Sequence, residues 1–547
     1  MVTLYHLPEI KGMADKLASS SALGGLGGVS GLGQPKISLH IGGLWGDSYL
    51  YILSAILQEN KRPVWLLVTP SIEEAENVLE TWPSFSSRPF TAKAGRALPR
   101  NFMRKIQLFP AWESLPQETP TPDSIIMQGR LQTLIALSGQ PRLGGTDPSF
   151  GGNEKEIDLS RFQRDQEIPR LIVTSVQALL QDVISPDELK QSEWSLKVGE
   201  VLVFKNITER LIEAEFERVA EVNRPCEFSI RGGLLDVYPY QVRAGAPRLR
   251  PALRDFGGQA DIDEVVGPIR VELIDDVIES IRTFNPETQL SDKKLNRSLI
   301  YLVKKSDMFK TTVGRLSAVL LDYLPEQTVI ILKEPEEIAV RAKQYLSRLH
   351  RFIIPDQILS GPEDNIFSQC YKKIQAYSTV TLQTLPVAVD QAELQKQDIY
   401  NFRINSLQRF SGGLINLGKE LETLQRQEQR IVIFCRNEAE RQRLQELLKN
   451  NINKLLEIRI GNLQTGFHWP AIKTVFISHH ELFNKVRQLP LLRDGVRRLP
   501  TRLFKSPAEL RKPFISGIKT TESFFELTEG DLVVHTVYGI GRYLGIK

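Results

Sequence analysis

The sequence predicts a multidomain protein of the α/β class, and three observations carry this prediction. At 547 residues the chain is too long for a single core, since domains usually hold about 100–200 residues. Hydrophobic residues make up 41% of the chain and charged residues 24%, as in ordinary globular proteins. Short apolar runs alternate with stretches of helical period, a pattern typical of parallel sheets covered by helices.

The first α/β domain is predicted to begin at Ile37, after a glycine-rich, flexible stretch at residues 22–34. An apolar run ISLHI, a glycine loop, the helical stretch YLYILSAILQEN and the apolar run PVWLLV follow one another. The pattern continues through LFPAWESLP to the strand LIVTS at 171–175. Residues 139–168 are rich in glycine, proline and charge, which predicts a surface insertion.

Two further folded units are predicted behind the first. Residues 196–240 combine a helical stretch with the short strands of EFSIRGGLLDVYP, which favours a small α+β unit. A second insertion covers about 243–267, and the strand IRVELID follows it. Around 385–485, the strand RIVIFC, a helix and the strand TVFISHHELF indicate another α/β unit.

The C-terminal part differs in composition. Residues 485–519 hold ten Lys and Arg against two acids and are interrupted by prolines, which favours an extended linker, although a DNA-binding segment is the alternative. Residues 530–547 alternate apolar and polar side chains with glycines between them, as small barrel strands do. We expect the chain to end inside that barrel.

Seven segments are therefore predicted: 1–36, an N-terminal helix and leader; 37–194, the first α/β domain; 195–292, the small α+β domain; 293–384, a return to the first domain; 385–486, the third domain; 487–522, the basic linker; and 523–547, the start of a β-barrel.

Composition narrows the possible partners and the compartment. The 69 Lys and Arg against 65 Asp and Glu leave a net charge of +4, so any nucleic-acid contact requires a local basic patch. Cys226, Cys370 and Cys435 are far apart in sequence, which argues against a disulfide framework or a zinc ribbon. The sequence holds no signal peptide and no run of about 20 apolar residues, so we expect a cytoplasmic protein without membrane contact.

Residues 42–48 (GGLWGDS) occupy the place of a phosphate-binding loop but lack its chemistry. Such a loop needs a lysine after its last glycine, Gly46, to neutralise phosphate charge, and here Asp47 stands there. We therefore predict a degenerate loop formed by Gly42, Gly46, Asp47 and Ser48, with Asp47 and Ser48 as N-caps of the next helix. No other nucleotide, protease or metal motif is found, and no metal site is expected.

The adjacent His479 and His480 are predicted to lie at a strand end. Their side chains would then point to opposite faces of the sheet and could not share a metal ion.

Residues 227–240, EFSIRGGLLDVYPY, resemble the signature shared by the excision-repair protein UvrB and the transcription-repair coupling factors (Mfd). The resemblance extends to 269–291, to FPAWESLP at 109–116 and to IVTSVQALL. Residues 430–485 and GDLVVHTVYGIGRYLGI at 530–546 resemble the coupling factors alone, since UvrB lacks the second segment and carries an intact phosphate loop.

The resemblance implies an architecture and a role. It implies a UvrB-like module, in which a degenerate RecA-like α/β domain carries a small domain that binds UvrA, and a CarD-like barrel that binds the RNA polymerase β subunit. The family's motor, which uses ATP and Mg²⁺ to translocate on duplex DNA, would lie beyond residue 547. This chain would then be a non-catalytic docking part that needs no cofactor itself.

Carried over residue by residue, the UvrA-binding candidates are Arg218, Arg231 and Tyr238. Arginine and aromatic side chains suit an interface, although Arg231 could instead pair internally with Asp236 or Glu227. Residues 205–231 hold five Lys and Arg and six Glu, a balance that favours a protein partner over DNA.

Five residues near the C-terminus match the polymerase-domain motif: His535, Tyr538, Gly539, Gly541 and Arg542. We expect both glycines to form turns. Two other functions stay open at this point, an ATP-dependent helicase or UvrB-like excision nuclease subunit and an adaptor that never had a motor.

Overall fold

The computed structural model describes residues 7–22, 36–59, 64–86, 106–112, 124–138, 170–239, 268–295, 297–308, 318–353, 362–387, 398–407, 413–427, 429–449, 455–483, 532–535 and 539–542. The chain divides into two compact units, Met1–Leu489 and Pro490–Lys547. The predicted leader, both insertions and the basic linker fall largely or wholly outside the described residues.

The strands, in chain order, are β1 (Ser38–Gly42), β2 (Trp65–Thr69), β3 (Ile106–Phe109), β4 (Leu171–Ser175), β5 (Glu193–Lys197), β6 (Glu217–Arg218), β7 (Glu227–Arg231), β8 (Leu234–Tyr238), β9 (Ile269–Ile274), β10 (Val277–Phe284), β11 (Ser291–Leu295), β12 (Arg297–Tyr301), β13 (Val329–Lys333), β14 (Ser378–Leu382), β15 (Asp398–Asn401), β16 (Asn405–Ser406), β17 (Arg430–Cys435), β18 (Leu456–Ile460), β19 (Phe467–Trp469), β20 (Thr474–Ile477), β21 (Leu532–His535) and β22 (Gly539–Arg542).

The helices are α1 (Pro8–Ala22), α2 (Ser48–Glu59), α3 (Ile72–Ser86), α4 (Ser124–Ser138), α5 (Val176–Leu179), α6 (Pro186–Gln191), α7 (Phe204–Glu213), α8 (Lys305–Met308), α9 (Pro335–Ile353), α10 (Pro362–Ile374), α11 (Gly413–Arg426), α12 (Glu438–Leu447) and α13 (His479–Phe483). Within the described ranges, no helix is both long and apolar enough to cross a membrane.

A parallel sheet forms the centre of the first unit. Its order is β15-β1-β14-β13-β2-β4-β3, and every pair of neighbours in it is parallel. All residues of β2 and β4 are buried, because elements cover both faces of the sheet. The α/β class predicted from the sequence is confirmed by this sheet.

A second sheet contains the RGG segment. Its order is β11-β10-β9-β8-β7-β6, antiparallel except for the short β6–β7 pair. Gly232 turns the chain between β7 and β8 with a φ of +58°, a conformation that glycine adopts without strain. Gly233 passes so close to β9 that a Cβ would lie 2.5 Å from the Leu273 carbonyl oxygen.

The chain enters and leaves the second sheet through one antiparallel ribbon. Strand β5 precedes the sheet, β12 follows it, and the two pair along their whole length from Arg297–Lys197 to Tyr301–Glu193. One continuous hydrophobic core joins the sheets, since Leu66 and Ile172 of the parallel sheet belong to the same cluster as Leu235 and Val271.

A third sheet has the order β16-β19-β20-β17-β18, with β17 parallel to both of its neighbours. Its core is separate and includes Ile431, Ile433, Val475 and Ile477. In the second unit, β21 and β22 pair antiparallel with His535 opposite Gly539.

The predicted strand-end position of His479 and His480 is wrong. Both residues lie in helix α13, because the chain turns at Ser478, whose N–H is capped by the Glu481 carboxylate at 2.6 Å. The centres of the two imidazole rings are 5.4 Å apart, so the rings do not lie on opposite faces of a sheet. Nδ1 of His479 lies 3.0 Å from a carboxylate oxygen of Glu440. Among the described residues, no group of three or more His, Cys, Asp or Glu could hold a metal ion.

Arg130 holds the segment after β3 in place. It is fully buried, and its guanidinium donates to the Pro110 carbonyl at 2.9 Å, the Gln181 side chain at 3.1 Å and the Asp182 carbonyl at 3.1 Å. The same group lies 4.5 Å from the Phe109 ring centre. Burial lowers its pKa to about 9, so the group stays charged at neutral pH.

We expect Arg130→Leu to lower the free energy of unfolding by about 2–4 kcal/mol, because buried carbonyls would lose their donors. Arg130→Lys should also destabilise the chain, since an ammonium cannot span three acceptors. Urea unfolding measures both effects. Arg341→Gln on the exposed face of α9 is the control and should change stability by less than about 0.5 kcal/mol; an equal effect at both sites would contradict this account.

Candidate functional site

The loop at residues 42–48 follows β1 at the carboxyl edge of the parallel sheet. Gly42 ends β1, and its carbonyl accepts from the Phe402 N–H at 2.9 Å. Asp47 is buried, and its Oδ2 accepts from the backbone N–H groups of Gln464 at 2.6 Å and Thr465 at 3.1 Å. The Asp47 N–H donates in return to the Thr465 carbonyl at 3.4 Å.

The predicted N-cap role of Asp47 and Ser48 is therefore corrected. The Asp47 carboxylate binds the loop of residues 461–466, which joins β18 to β19 of the third sheet, instead of the first turn of α2. Ser48 is the first residue of α2, and its Oγ is buried without a hydrogen-bond partner. The partners of Asp47 lie more than 400 residues away, so no local pattern could have revealed them.

Gly46 allows the two loops to meet. It has a φ of +57°, and a Cβ there would lie 2.9 Å from the Thr465 carbonyl oxygen. A larger residue would be strained by its backbone and would also push the 461–466 loop away. Gly46, a residue type that phosphate-binding loops also require, here allows the 461–466 loop to approach closely.

Helix α3 adds a second set of contacts to the 461–466 loop. The Ser84 hydroxyl donates to the Asn462 carbonyl at 3.1 Å and accepts from the Asn462 N–H at 2.8 Å. Glu80 accepts from the side-chain amides of Asn462 at 2.9 Å and Gln464 at 3.3 Å. The loop is thus held from both α3 and the 42–48 loop.

Aromatic rings continue this contact beneath the loop. Tyr51 of α2 lies 5.1 Å from the Phe476 ring and 6.3 Å from the Trp469 ring, while Phe85 lies 5.9 Å from Phe434. Burying rings in offset or edge-on arrangements is among the most favourable packing contacts in proteins. The third sheet is therefore fixed against α2 and α3 by polar bonds at the rim and by rings inside.

The electrostatics of the 42–48 loop oppose phosphate. Burial raises the pKa of Asp47 to about 6, against which its two backbone hydrogen bonds act. Lys333 is the nearby cation, but it pairs with Glu74 at 2.6 Å and lies over the Tyr49 ring. These groups line a cavity of about 220 Å³ together with Glu334, so carboxylates outnumber ammonium groups there.

Two of the other candidate residues, Arg231 and Tyr238, lie on the same face of the second sheet. Arg231 donates to Asp236 Oδ2 at 2.9 Å, so the internal pairing with Asp236 is the one that occurs. Glu227, the other possible partner, instead accepts from the N–H groups of Asn223 and Arg224 at 2.7 and 2.8 Å.

Arg270 is a residue that sequence reasoning missed. It lies directly opposite Asp236 on β9 and binds that carboxylate with two N–H groups, Nε at 2.7 Å and Nη2 at 2.9 Å. Asp236 is buried to 1% exposure between the two arginines. Asp236 and Arg270 lie 34 positions apart in the sequence, and the register of β8 with β9 brings them together.

The three predicted UvrA-binding residues do not form one cluster. Arg218 is exposed on β6 and lies in register with Phe228 of β7. Phe228 precedes Arg231 by three residues, so Arg218 and Arg231 are separated by about 10 Å along the strand direction. Tyr238 is half-buried at the end of β8, in register with Glu227, so it lies near the same strand end as Arg218 but on the opposite face of the sheet. Arg231 stands at the other end, beside the Gly232–Gly233 turn.

The polymerase-motif residues fall in the second unit. His535 pairs with Gly539, Val533 with Gly541, and Leu532 with Arg542. Gly541 therefore lies within β22 instead of in a turn. Tyr538 lies outside the described residues.

One segment of the chain matches a known family of interaction domains. The family described as the UvrB interaction domain matches residues 194–251, which begin in β5 and include the RGG strands. This segment of the chain is thus similar to the UvrB interaction domain, and its strands β7 and β8 lie in the second sheet.

Most of the chain, including that segment, is similar to transcription-repair-coupling factors. That of Bacillus subtilis is 24% identical over 591 aligned residues, which cover 95% of this chain and 43% of that protein. The Staphylococcus haemolyticus factor is 23% identical over 66% of this chain, and a Staphylococcus aureus factor is 22% identical over 81%. The predicted resemblance is confirmed, and this chain spans less than half the length of the relatives it matches.

We expect Asp47 to make stability depend on pH in one direction. Its pKa is about 6 in the folded chain against 3.8 ordinarily, so the folded chain holds the proton more tightly. The free energy of unfolding should therefore fall as pH rises from about 4 to 6, by on the order of 3 kcal/mol at most. Urea unfolding across this pH range measures it.

The Asp47→Asn variant keeps a hydrogen-bond acceptor but has no titratable group at this position. Its free energy of unfolding should therefore not show the decrease between pH 4 and 6. Asp275→Asn in the exposed turn after β9 is the matched control and should follow the unchanged chain. Identical pH profiles for Asp47→Asn and the unchanged chain would refute the role of Asp47.

Proposed function

We propose that this chain is a non-catalytic docking part of a transcription-repair coupling factor, which recruits UvrA through the second sheet. The match to the UvrB interaction domain over residues 194–251 carries the proposal. The similarity to coupling factors over 95% of the chain supports it. In this proposal the parallel sheet and second sheet form a UvrB-like module, with the predicted divisions at 37–194, 195–292 and 385–486.

The absence of catalysis is also a proposal, and the 42–48 loop supports it. A phosphate group there would have to displace the Gln464 and Thr465 N–H groups from Asp47 and would then meet that carboxylate. Like charges in a buried site repel strongly. The alternative of an ATP-dependent helicase or nuclease subunit therefore has the weaker support.

The RNA polymerase β subunit, duplex DNA and a motor that uses ATP and Mg²⁺ are further proposals for the complete protein. The similarity to coupling factors supports them, and the matched relatives are more than twice as long as the aligned part. For the second unit, the β21–β22 hairpin is compatible with a strand pair of the expected barrel. The basic segment 485–519 stays a prediction, as either linker or DNA contact.

Arg218→Glu and Arg231→Glu should each weaken UvrA binding about tenfold or more, since interface arginines are frequent hot spots. Biolayer interferometry with immobilised UvrA measures the affinity. Arg341→Glu on α9 is the control for a surface charge reversal. Undiminished binding by both variants would remove these residues from the interface, and an unchanged chain that fails to bind UvrA would end the proposal itself.

ATP with Mg²⁺ should leave the thermal unfolding of the chain unchanged. A ligand selective for the folded state at 100 times its Kd would add about 2.7 kcal/mol of stability. Differential scanning fluorimetry at millimolar ATP measures this, with an authentic phosphate-loop ATPase as positive control. A reproducible rise in melting temperature that Gly46→Val abolishes would favour the enzyme alternative.

A further inference from the structure

Arg231 can pair with Asp236 or bind a partner. The hydrogen bonds around Asp236 allow it to do both in turn. The Asp236 carboxylate already accepts a bidentate pair of hydrogen bonds from Arg270, from Nε at 2.7 Å and from Nη2 at 2.9 Å. Such fork-to-fork pairing is the strongest arrangement available to a guanidinium and a carboxylate. Asp236 is therefore neutralised without Arg231.

Arg270 is itself fixed in place. Its Nη1 donates to the Gln289 carbonyl at 3.0 Å, and its guanidinium lies 4.9 Å from the Phe284 ring centre. Only 16% of its side chain is exposed. The bond to Asp236 raises the pKa of Arg270, so this arginine stays charged.

Arg231 is held far more loosely. It reaches Asp236 through a single Nη2 contact at 2.9 Å, and 49% of its side chain is exposed. The three groups carry two positive charges and one negative charge. The surplus positive charge belongs to the exposed member, because Arg270 is buried and doubly bonded.

The described residues leave the turn beside Arg231 uncovered. Among them, no atom would lie within 4 Å of a Cβ on Gly232, so they leave room for another chain to approach the backbone at this turn. Glu272, which lies in register with Leu234 on β9, accepts from the Ser280 hydroxyl at 3.0 Å and pairs with Arg282 at 3.6 Å. Neither Glu272 nor Glu227 therefore competes for Arg231.

We propose that Arg231 exchanges its single bond to Asp236 for a carboxylate of the docking partner, and that Arg270 and Asp236 are the positioning residues that make this exchange possible. Arg270 keeps Asp236 neutralised when Arg231 leaves, so no buried charge is abandoned. Asp236 is the internal competitor for Arg231, and its two bonds to Arg270 weaken its hold on that side chain. The proposal rests on the docking function and assigns the chemistry of the partner contact as a carboxylate.

Two variants should move UvrA affinity in opposite directions. Asp236→Asn with Arg270→Gln removes both charges of the buried pair, releases Arg231 from its internal competitor and should strengthen binding about threefold. Arg270→Lys keeps the positive charge but cannot form both hydrogen bonds to Asp236. Asp236 should then bind Arg231 more tightly, and UvrA binding should weaken about threefold. A purely structural role for the pair would weaken binding in both.

Adding Arg231→Gln to the double variant provides the decisive comparison. The gain should vanish, leaving the affinity of Arg231→Gln alone, because the gain acts through that side chain. Affinities are measured on immobilised UvrA with the full chain, and near-ultraviolet circular dichroism checks that each variant is folded. If the double variant does not fold, Arg270→Lys carries the test, and unchanged affinity in it would overturn the proposal.

A gain that survives Arg231→Gln, or a folded double variant without gain, would also overturn the exchange. Failure of the docking function gives a different result, namely no UvrA binding by the unchanged chain. Binding by the unchanged chain that only Arg231→Gln weakens would leave docking in place and reject the positioning roles.

Discussion

In the first unit, the buried carboxylate of Asp47 connects the parallel sheet to the third sheet through the two backbone N–H groups that it binds. A carboxylate inside a protein is stable only when hydrogen bonds replace the water it has lost. The 461–466 loop supplies those bonds, at 2.6 and 3.1 Å. The polarity of a phosphate loop is thereby reversed: the parallel sheet offers the anion, and another part of the same chain offers the N–H groups.

This reversal explains why the surrounding sequence looks as it does. Gly46 is required for the approach of Thr465, Ser84 and Glu80 satisfy the polar groups of Asn462 and Gln464, and rings fill the space below. A rigid framework of this kind suits the presentation of a small recognition domain, since interfaces bind tightly when their residues need little ordering.

The sequence predicted those parts of the structure that depend on local pattern. The apolar runs at β2, β4 and β17 are confirmed as buried strands, because short runs bounded by loops have few other solutions. It could not predict the partner of Asp47 or the pairing of Arg270 with Asp236, since both depend on register and on packing between distant segments. His479 and His480 were misplaced because a single capping residue, Glu481, turned the expected strand end into a helix.

The paired strands β5 and β12 place the start and end of the second sheet side by side. A segment whose two ends nearly touch can be inserted into a host, lengthened or exchanged while the host keeps its own chain path. The second sheet is in this sense portable, because the same two-stranded ribbon could connect it to another framework without any change to the strands of the sheet.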